Sequence, residues 1–509
     1  IAPPTPKSSN QSGIITIRTQ KPSFSTNSVF LDSGIYVKLI SEPDAEIRYT
    51  INGAEPTINS SLYIDSLLID TSLVLKAKAF ISGKSPSNVV VHTFIIGQHK
   101  FDLPVISVST DPNWLYNPDT GIFMEGPNAD PEIPHYGANY WLDKEVPMYF
   151  QYITTDSIER ISVPAGAKIK GGYSRTNAQK SFTVECDDKW GSSNFNYKIF
   201  NDKEQKKIEK IYIRNSGNDW SSTMFRDALI HELTKKYMDV DIEAYQPSVI
   251  FINGQYNGIQ NIRENLGKNY FKENYNVDPD NLDFLFANGE VLEGSNSTYF
   301  SLINYITYND LSNPTFYNYV KSQIDIDEYI DYQITEMYVA NTDWPGNNIK
   351  YWREKKDGSK WRWVLYDTDF GFGPWDSEIC ENTMTFATDD TTTVGWPNPL
   401  WSTLLFRRLL KNEEFKNSFI QRYAYHMNTT FEAKRVCHII DSLKANIANE
   451  MPYHIEKWQQ PWSMEGWNEY VDKMYSFANS RAECVKQHVK DYFNITGDMI
   501  QLTVHNDTS

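Results

Sequence analysis

A chain of 509 residues exceeds what one hydrophobic core supports, so two or three domains are expected. Hydrophobic residues make up 40% and charged residues 22%, a balance that excludes a globally disordered chain. The formal net charge of −17 disfavours nucleic-acid binding, and a bound nucleotide would need a divalent metal or a local cluster of Lys and Arg.

No apolar run reaches the ~18 residues that a membrane-spanning helix needs. The opening Ile1-Ala2-Pro3-Pro4-Thr5-Pro6-Lys7 reads as the flexible tether, residues 1–12, of a processed secreted protein or lipoprotein. Cys186, Cys380, Cys437 and Cys484 lie far apart without a Cys-x-x-Cys pair, and buried free thiols are the favoured reading over disulfides.

From Ile14, Ile15 and Ile17 onward the pattern is one of short strands: Gly34 to Ile40, Glu46 to Ile51 and Leu73 to Phe80. Asn52-Gly53 between β-branched segments is a hairpin signal, and the spacing of turns predicts a small β-sandwich. Ile47-Arg48-Tyr49-Thr50, Asn52-Gly53, Glu55-Pro56-Thr57 and Leu75-Lys76-Ala77 resemble the β-domain at the C-terminal end of chitobiase-type hexosaminidases. The resemblance covers residues 13–97. It implies an accessory domain of a secreted bacterial protein, with a structural or spacer role favoured over sugar binding.

Strands are expected to resume at Val105-Ile106-Ser107-Val108 and at Pro147 to Tyr152, with loops over 109–145. Helical periodicity marks Phe225, Leu229, Ile230, Leu233 and Tyr237, and then Ile326, Ile330, Ile334, Met337 and Tyr338. Beyond residue 400 the pattern is mostly helical. Strands preceding helices define an α+β chain. Met499 to Val504 reads as a final strand, which would open a further domain in the tail 496–509.

The chemistry gathers between Asp343 and Gly371. Pro345 and Gly346 are expected to stop the preceding helix, leaving Asp343 and Asn348 on a loop. Ile349 to Arg353 and Trp361 to Tyr366 form a hairpin around Asp357-Gly358, followed by Asp367-Thr368-Asp369-Phe370-Gly371. In phosphoryl transfer one Asp orients the acceptor hydroxyl, an Asn five residues later holds a metal, and an Asp after a hairpin holds the metal at the phosphates. Asp343, Asn348 and Asp369 follow that order, although Thr342 stands where kinases usually carry Arg. Asp and Asn are also common cap and turn residues, and Asp367 with Asp369 would equally suit a structural calcium.

Upstream, Lys168 to Ser174 leads into a strand with Lys180 at its start. Arg214 to Trp220 reads as the cap of the helix holding Phe225-Arg226-Asp227, and Ser248 to Glu264 forms a hairpin around Asn253-Gly254. The segments KGGYSR…QKSF, NDWSSTMFRDAL, VIFINGQYNGIQNIREN and NTDWPGNN…WVLYDTDFGFG together resemble the CotH spore-coat kinase family. That resemblance implies an atypical protein-kinase-like, two-lobed domain over residues 98–495, using ATP with Mg²⁺ or Mn²⁺. It implies Asp343 and Asp369 as catalytic residues and Asn348, Asp367 and Asp369 as metal ligands. Lys180 becomes the phosphate-binding lysine, with Lys168 and Lys170 as competitors. Glu264 would face the nucleotide or pair with a lysine, and Arg226 would assist. The Asn253-Gly254 turn is structural. Trp344, Trp352, Trp361, Trp363 and Trp375 are expected to pack, with base or sugar stacking as the other possibility.

Two functions therefore compete. One is a secreted or surface protein kinase, which would act on an unidentified protein substrate. The other is an inactive surface binding or adhesion protein with a cell-surface or polysaccharide partner. The extracytoplasmic location implied by the accessory-domain resemblance favours the second, because ATP is scarce outside the cytoplasm, whereas the pair Asp343 and Asp369 favours the first.

Overall fold

The structure is a computed structural model that describes residues 17–391 and 396–497. Ile14, Ile15 and the strand expected at 499–504 lie outside the described residues. The chain divides into two compact units: residues up to Ser221 with Ala244–Tyr270 and Ala445–Gly466, and Ser222–Glu243 with Phe271–Lys444 and residues from Trp467 on.

The first unit begins with the β-sandwich. Its main sheet runs in the order Phe30–Leu31, Val90–Ile96, Leu73–Phe80, Glu46–Thr50, Ser61–Leu62, beside two smaller pairs. Alternation along Leu73–Phe80 turns Leu75, Ala77 and Ala79 into a core with Val37, Ile47, Ile69 and Phe94. Asn52-Gly53 does not close a two-residue hairpin, because Tyr49 pairs with Ser61 across a longer connection. The loop is pulled away from hairpin geometry toward the second part of this unit. Lys76 Nζ donates to the carbonyls of Gly53 (2.7 Å) and Ser109 (3.3 Å), tying the two parts together.

That second part is a closed seven-stranded barrel in the order Val105–Ser109, Val146–Ile153, Glu159–Ile169, Phe182–Glu185, Lys210–Arg214, Gln255–Glu264, Tyr245–Ile252. Every pairing is antiparallel except the closing one, where Val105 meets Val249 in parallel. Asn253 (φ 50°) and Gly254 (φ 82°) are both left-handed, as a two-residue hairpin turn requires. A Cβ on Gly254 would overlap the Leu73 backbone of the sandwich, so this turn is also a close-packing point. The helix Met451–Trp458 covers the same hairpin, with His454 Nδ1 accepting from Ile259 N at 2.9 Å.

The second unit carries a four-stranded sheet in the order Glu290–Glu293, Leu282–Phe286, Lys350–Glu354, Arg362–Val364, surrounded by helices. The predicted hairpin after Asn348 is its last pair, with Tyr351 opposite Trp363. The first helix is Arg226–Thr234; it stops short of Tyr237, and its N-cap is Phe225, without a side-chain cap bond. Arg214 to Trp220 is therefore no cap: it forms the end of a strand and the 3-10 turn Gly217–Ser221.

The helix Ile326–Val339 is buried along every residue but Asp327, as befits a central element. It does not run on to Pro345 and Gly346. It ends at Ala340, in the left-handed conformation (φ 53°, ψ 51°) usually reserved for glycine. Its last carbonyls are met from far away in sequence. Arg481, fully buried on the long helix Met464–Tyr492, donates to the carbonyls of Met337 (2.7 Å) and Tyr338 (2.9 Å).

The same guanidinium donates to the carbonyls of Ile379 (2.8 Å) and Glu381 (2.7 Å) and to Thr383 Oγ1 (2.9 Å). Between those carbonyls, Cys380 forms a disulfide with Cys484, 104 residues away and 5.3 Å between Cα atoms. This corrects the free-thiol expectation for that pair. Sequence distance hid an approach that the C-terminal helix makes by folding back. Cys186 and Cys437 remain free.

Candidate functional site

The loop after Ala340 is built by its own amides. Asn341, buried, accepts the Asp343 backbone N–H at 3.1 Å and donates its Nδ2 to Glu336 Oε2 at 2.9 Å. Asp343 is only 7% exposed. Its Oδ2 accepts from Asn348 Nδ2 (2.7 Å) and Asn347 Nδ2 (3.0 Å); its Oδ1 accepts from Asn347 Nδ2 (3.1 Å) and from the Trp396 indole N–H. Burial raises the Asp343 carboxyl above the usual range, opposed by the Trp396 and Asn347 bonds, with the charge of Asp367 adding to the rise.

Asn348 and Asp367 both sit at positive φ (53° and 55°), a region that Asn and Asp enter more readily than other side chains. Asn348 Nδ2 also reaches the Asp367 carbonyl at 3.3 Å, so one amide joins the two loops. Asp343, Asn348 and Asp367 are thus brought together. Asp369 stands two residues further along the same loop and is buried.

The helix Arg226–Thr234 grips that loop at both ends. Asp227 Oδ1 accepts from Thr368 N and Thr368 Oγ1, each at 2.9 Å, between the two loop aspartates. Arg226 Nη1 donates to the carbonyls of Gly371 (3.1 Å) and Phe372 (2.6 Å). Gly371 leaves room for this packing, since a Cβ there would press on Val339 and Ile230 at about van der Waals distance or less. Arg226 therefore holds the loop backbone, a role the sequence did not suggest.

Lys180 and Glu264 belong to the first unit. Lys180 Nζ donates to the Arg175 carbonyl at 2.6 Å and lies 4.2 Å over the Tyr140 ring. Burial lowers its pKa to about 8, opposed by Glu125. Its competitors are engaged otherwise: Lys168 pairs with Asp143, and Lys170 donates to Asn265 Oδ1 at 2.7 Å. Glu264 pairs with Lys203 at 3.4 Å, which is none of the three candidate lysines, and accepts from Ala244 N at 2.7 Å. Trp344, Trp352, Trp361 and Trp363 are buried and pack as expected, whereas Trp375 is 60% exposed.

Behind Asp343, burial pushes the Glu336 carboxyl up to about 8; Asn341 and Tyr332 oppose the rise, and the charges of Asp227 and Asp343 add to it. The folded protein thus keeps a proton that the unfolded chain loses near the ordinary value of 4.5. Stability must then fall as pH rises from about 4.5 and level off above about 8. Glu336→Gln keeps the acceptor for Asn341 and removes the proton, so the variant should show a flatter melting temperature between about pH 5 and 9. Equal slopes in wild type and variant would refute this.

A closed β-barrel lobe and a helical unit that carries an Asp-x4-Asn loop, a hairpin and an Asp-Phe-Gly triplet define a kinase-like protein. Residues 167–485, well over half of the chain, match the family model described as CotH kinase protein, and the chain belongs to that family. Residues 27–91, within the sandwich, match the chitobiase/beta-hexosaminidase C-terminal domain. No curated protein matches the chain. Among the described residues no helix is long and apolar enough to cross a membrane.

Proposed function

We propose that the chain transfers the γ-phosphoryl group of ATP to protein hydroxyls outside the cytoplasm, with Mg²⁺ or Mn²⁺. The observation that carries the reading is the buried Asp343 carboxylate, held by neutral N–H donors and joined through Asn348 to the Asp367 loop. In this reading Asp343 orients the acceptor hydroxyl and takes its proton as the oxygen attacks Pγ. The bond from Pγ to the bridging oxygen breaks, and ADP leaves. Lys180, just before the strand Phe182–Glu185, is assigned to the phosphates. Arg226 and Asp227 keep the acidic loop in shape.

The donor set suits a hard divalent ion, because Asp367, Asp369 and the Asn348 amide offer oxygen ligands only. Among the described residues no three His, Cys, Asp or Glu side chains form a metal cage. A divalent ion would be held there by one or two of these carboxylates. Such an ion supplies charge neutralisation at the phosphates. The Cys380–Cys484 disulfide supports an oxidising compartment, and so a secreted or surface location.

The second reading is a surface-binding protein with a polysaccharide or cell-surface partner. It draws on Tyr36 and Leu68, exposed cross-strand neighbours on the sandwich. Calorimetric titration with ATP separates the two readings. Binding should require Mg²⁺ or Mn²⁺ and weaken about tenfold or more in Asp369→Ala and Lys180→Met, the loss of a charge-assisted contact. Absence of metal-dependent nucleotide binding would leave the binding-protein reading standing alone.

A further inference from the structure

We infer that the acceptor hydroxyl binds where the Trp396 indole N–H now sits, so that Trp396 marks and guards the acceptor subsite. The inference rests on the kinase reading and adds which protein group the substrate displaces. An ionised carboxylate offers about four lone-pair positions. On Asp343 all are engaged: Oδ1 by Asn347 and Trp396, Oδ2 by Asn347 and Asn348. A hydroxyl can reach this carboxylate only if one donor withdraws.

The three donors are not equally free to do so. Asn348 is buried and also bonded to the Asp367 carbonyl, and Asn347 holds both carboxylate oxygens from a half-buried position. Trp396 is 61% exposed, and its N–H is a donor only, so it cannot relay a proton. The two residues that follow it are anchored. Gly346 N donates to the Pro397 carbonyl at 2.6 Å, and Asn398 Nδ2 to the Phe386 carbonyl at 3.1 Å. A Cβ on Gly346 would overlap both Pro397 and Pro399. The backbone therefore stays on the loop while the ring can swing into solvent. An incoming Ser, Thr or Tyr hydroxyl donates to the vacated Oδ1, and the displaced ring offers it an apolar wall.

Trp396→Phe keeps the ring and removes the N–H. With dephosphorylated casein as acceptor probe, this variant should raise kcat/KM for casein about two- to tenfold, the factor that one ordinary hydrogen bond is worth. The KM for ATP should not change. A casein kcat/KM within about twofold of wild type, or a loss as deep as that of Asp343→Asn, would overturn the inference. If Asp343→Asn itself transfers phosphate like wild type, the kinase reading of the site fails instead.

A second readout does not depend on turnover. In ¹⁵N-tryptophan-labelled protein, the indole resonance missing from Trp396→Phe should shift in Asp343→Asn. It should move toward the free-indole position when casein is added. A resonance already at the free position and blind to Asp343→Asn would also overturn the inference.

Discussion

Replacing Arg481 by Met is expected to destabilise the second unit by about 3 kcal/mol, because the buried Tyr338 carbonyl is left without its donor and three further carbonyls each lose one. The guanidinium makes five hydrogen bonds, to the carbonyls of Met337, Tyr338, Ile379 and Glu381 and to Thr383 Oγ1. Each orphaned group costs about 1–3 kcal/mol, though such losses are not additive. The Met337 carbonyl keeps Thr383 Oγ1 at 2.8 Å and the Glu381 carbonyl keeps Thr383 N at 3.0 Å, so the Tyr338 and Ile379 carbonyls carry most of the loss. Arg481→Lys should recover only part of the loss, since an ammonium cannot span the positions that the planar fork reaches. Urea denaturation checks this; a Met variant within about 0.5 kcal/mol of wild type, the spread of ordinary surface substitutions, would contradict it.

Removing the disulfide should have an effect of similar size. Cys380 and Cys484 close a loop of 104 residues, and a loop of ~100 residues is worth about 4.7 kcal/mol in the chain-entropy account. Measured losses run nearer about 2–5 kcal/mol, which in a unit of this size lowers the melting temperature by about 5–15 °C. The variant carrying both Cys380→Ser and Cys484→Ser should show that drop under non-reducing conditions. The unfolded, unreduced wild type should expose two titratable thiols, from Cys186 and Cys437. Four thiols, or an unchanged melting temperature, would rule the bridge out.

These two features act on the same place. Arg481 and the disulfide both fasten the C-terminal helix to the 379–383 segment, and Arg481 caps the helix whose end launches the Asp343 loop. That loop was readable in the sequence because its parts are contiguous: an apolar helix, the Asp-x4-Asn turn, a hairpin and the Asp-Thr-Asp-Phe-Gly run. The Asn253-Gly254 hairpin was readable for the same reason.

What stayed hidden are contacts between residues that no local pattern connects. Arg226 reaches Gly371 across 145 positions, Arg481 reaches Tyr338 across 143, and Trp396 reaches Asp343 across 53. The local stop signals, Pro345 and Gly346, place the end of the central helix too late. The helix closes at a left-handed Ala340, with Ala340 N and Asn341 N donating to the Met337 and Glu336 carbonyls, and no glycine marks that position in the sequence. Asp227 was visible within the Phe-Arg-Asp run, but its grip on Thr368 depends on the fold. Asn347 was next to a chosen residue and carried no pattern of its own.

In the proposed function, this member of the CotH kinase family uses Asp343 to direct phosphoryl transfer. The most direct measurement is incorporation of label from γ-³²P-ATP into the chain itself and into dephosphorylated casein, with Mg²⁺ or Mn²⁺. Wild type should incorporate label only with metal, and Asp343→Asn should bind ATP normally while losing at least about 99% of the transfer, the range of a lost general base. Equal labelling by wild type and Asp343→Asn, or none by a wild type that binds metal-ATP, would contradict the account.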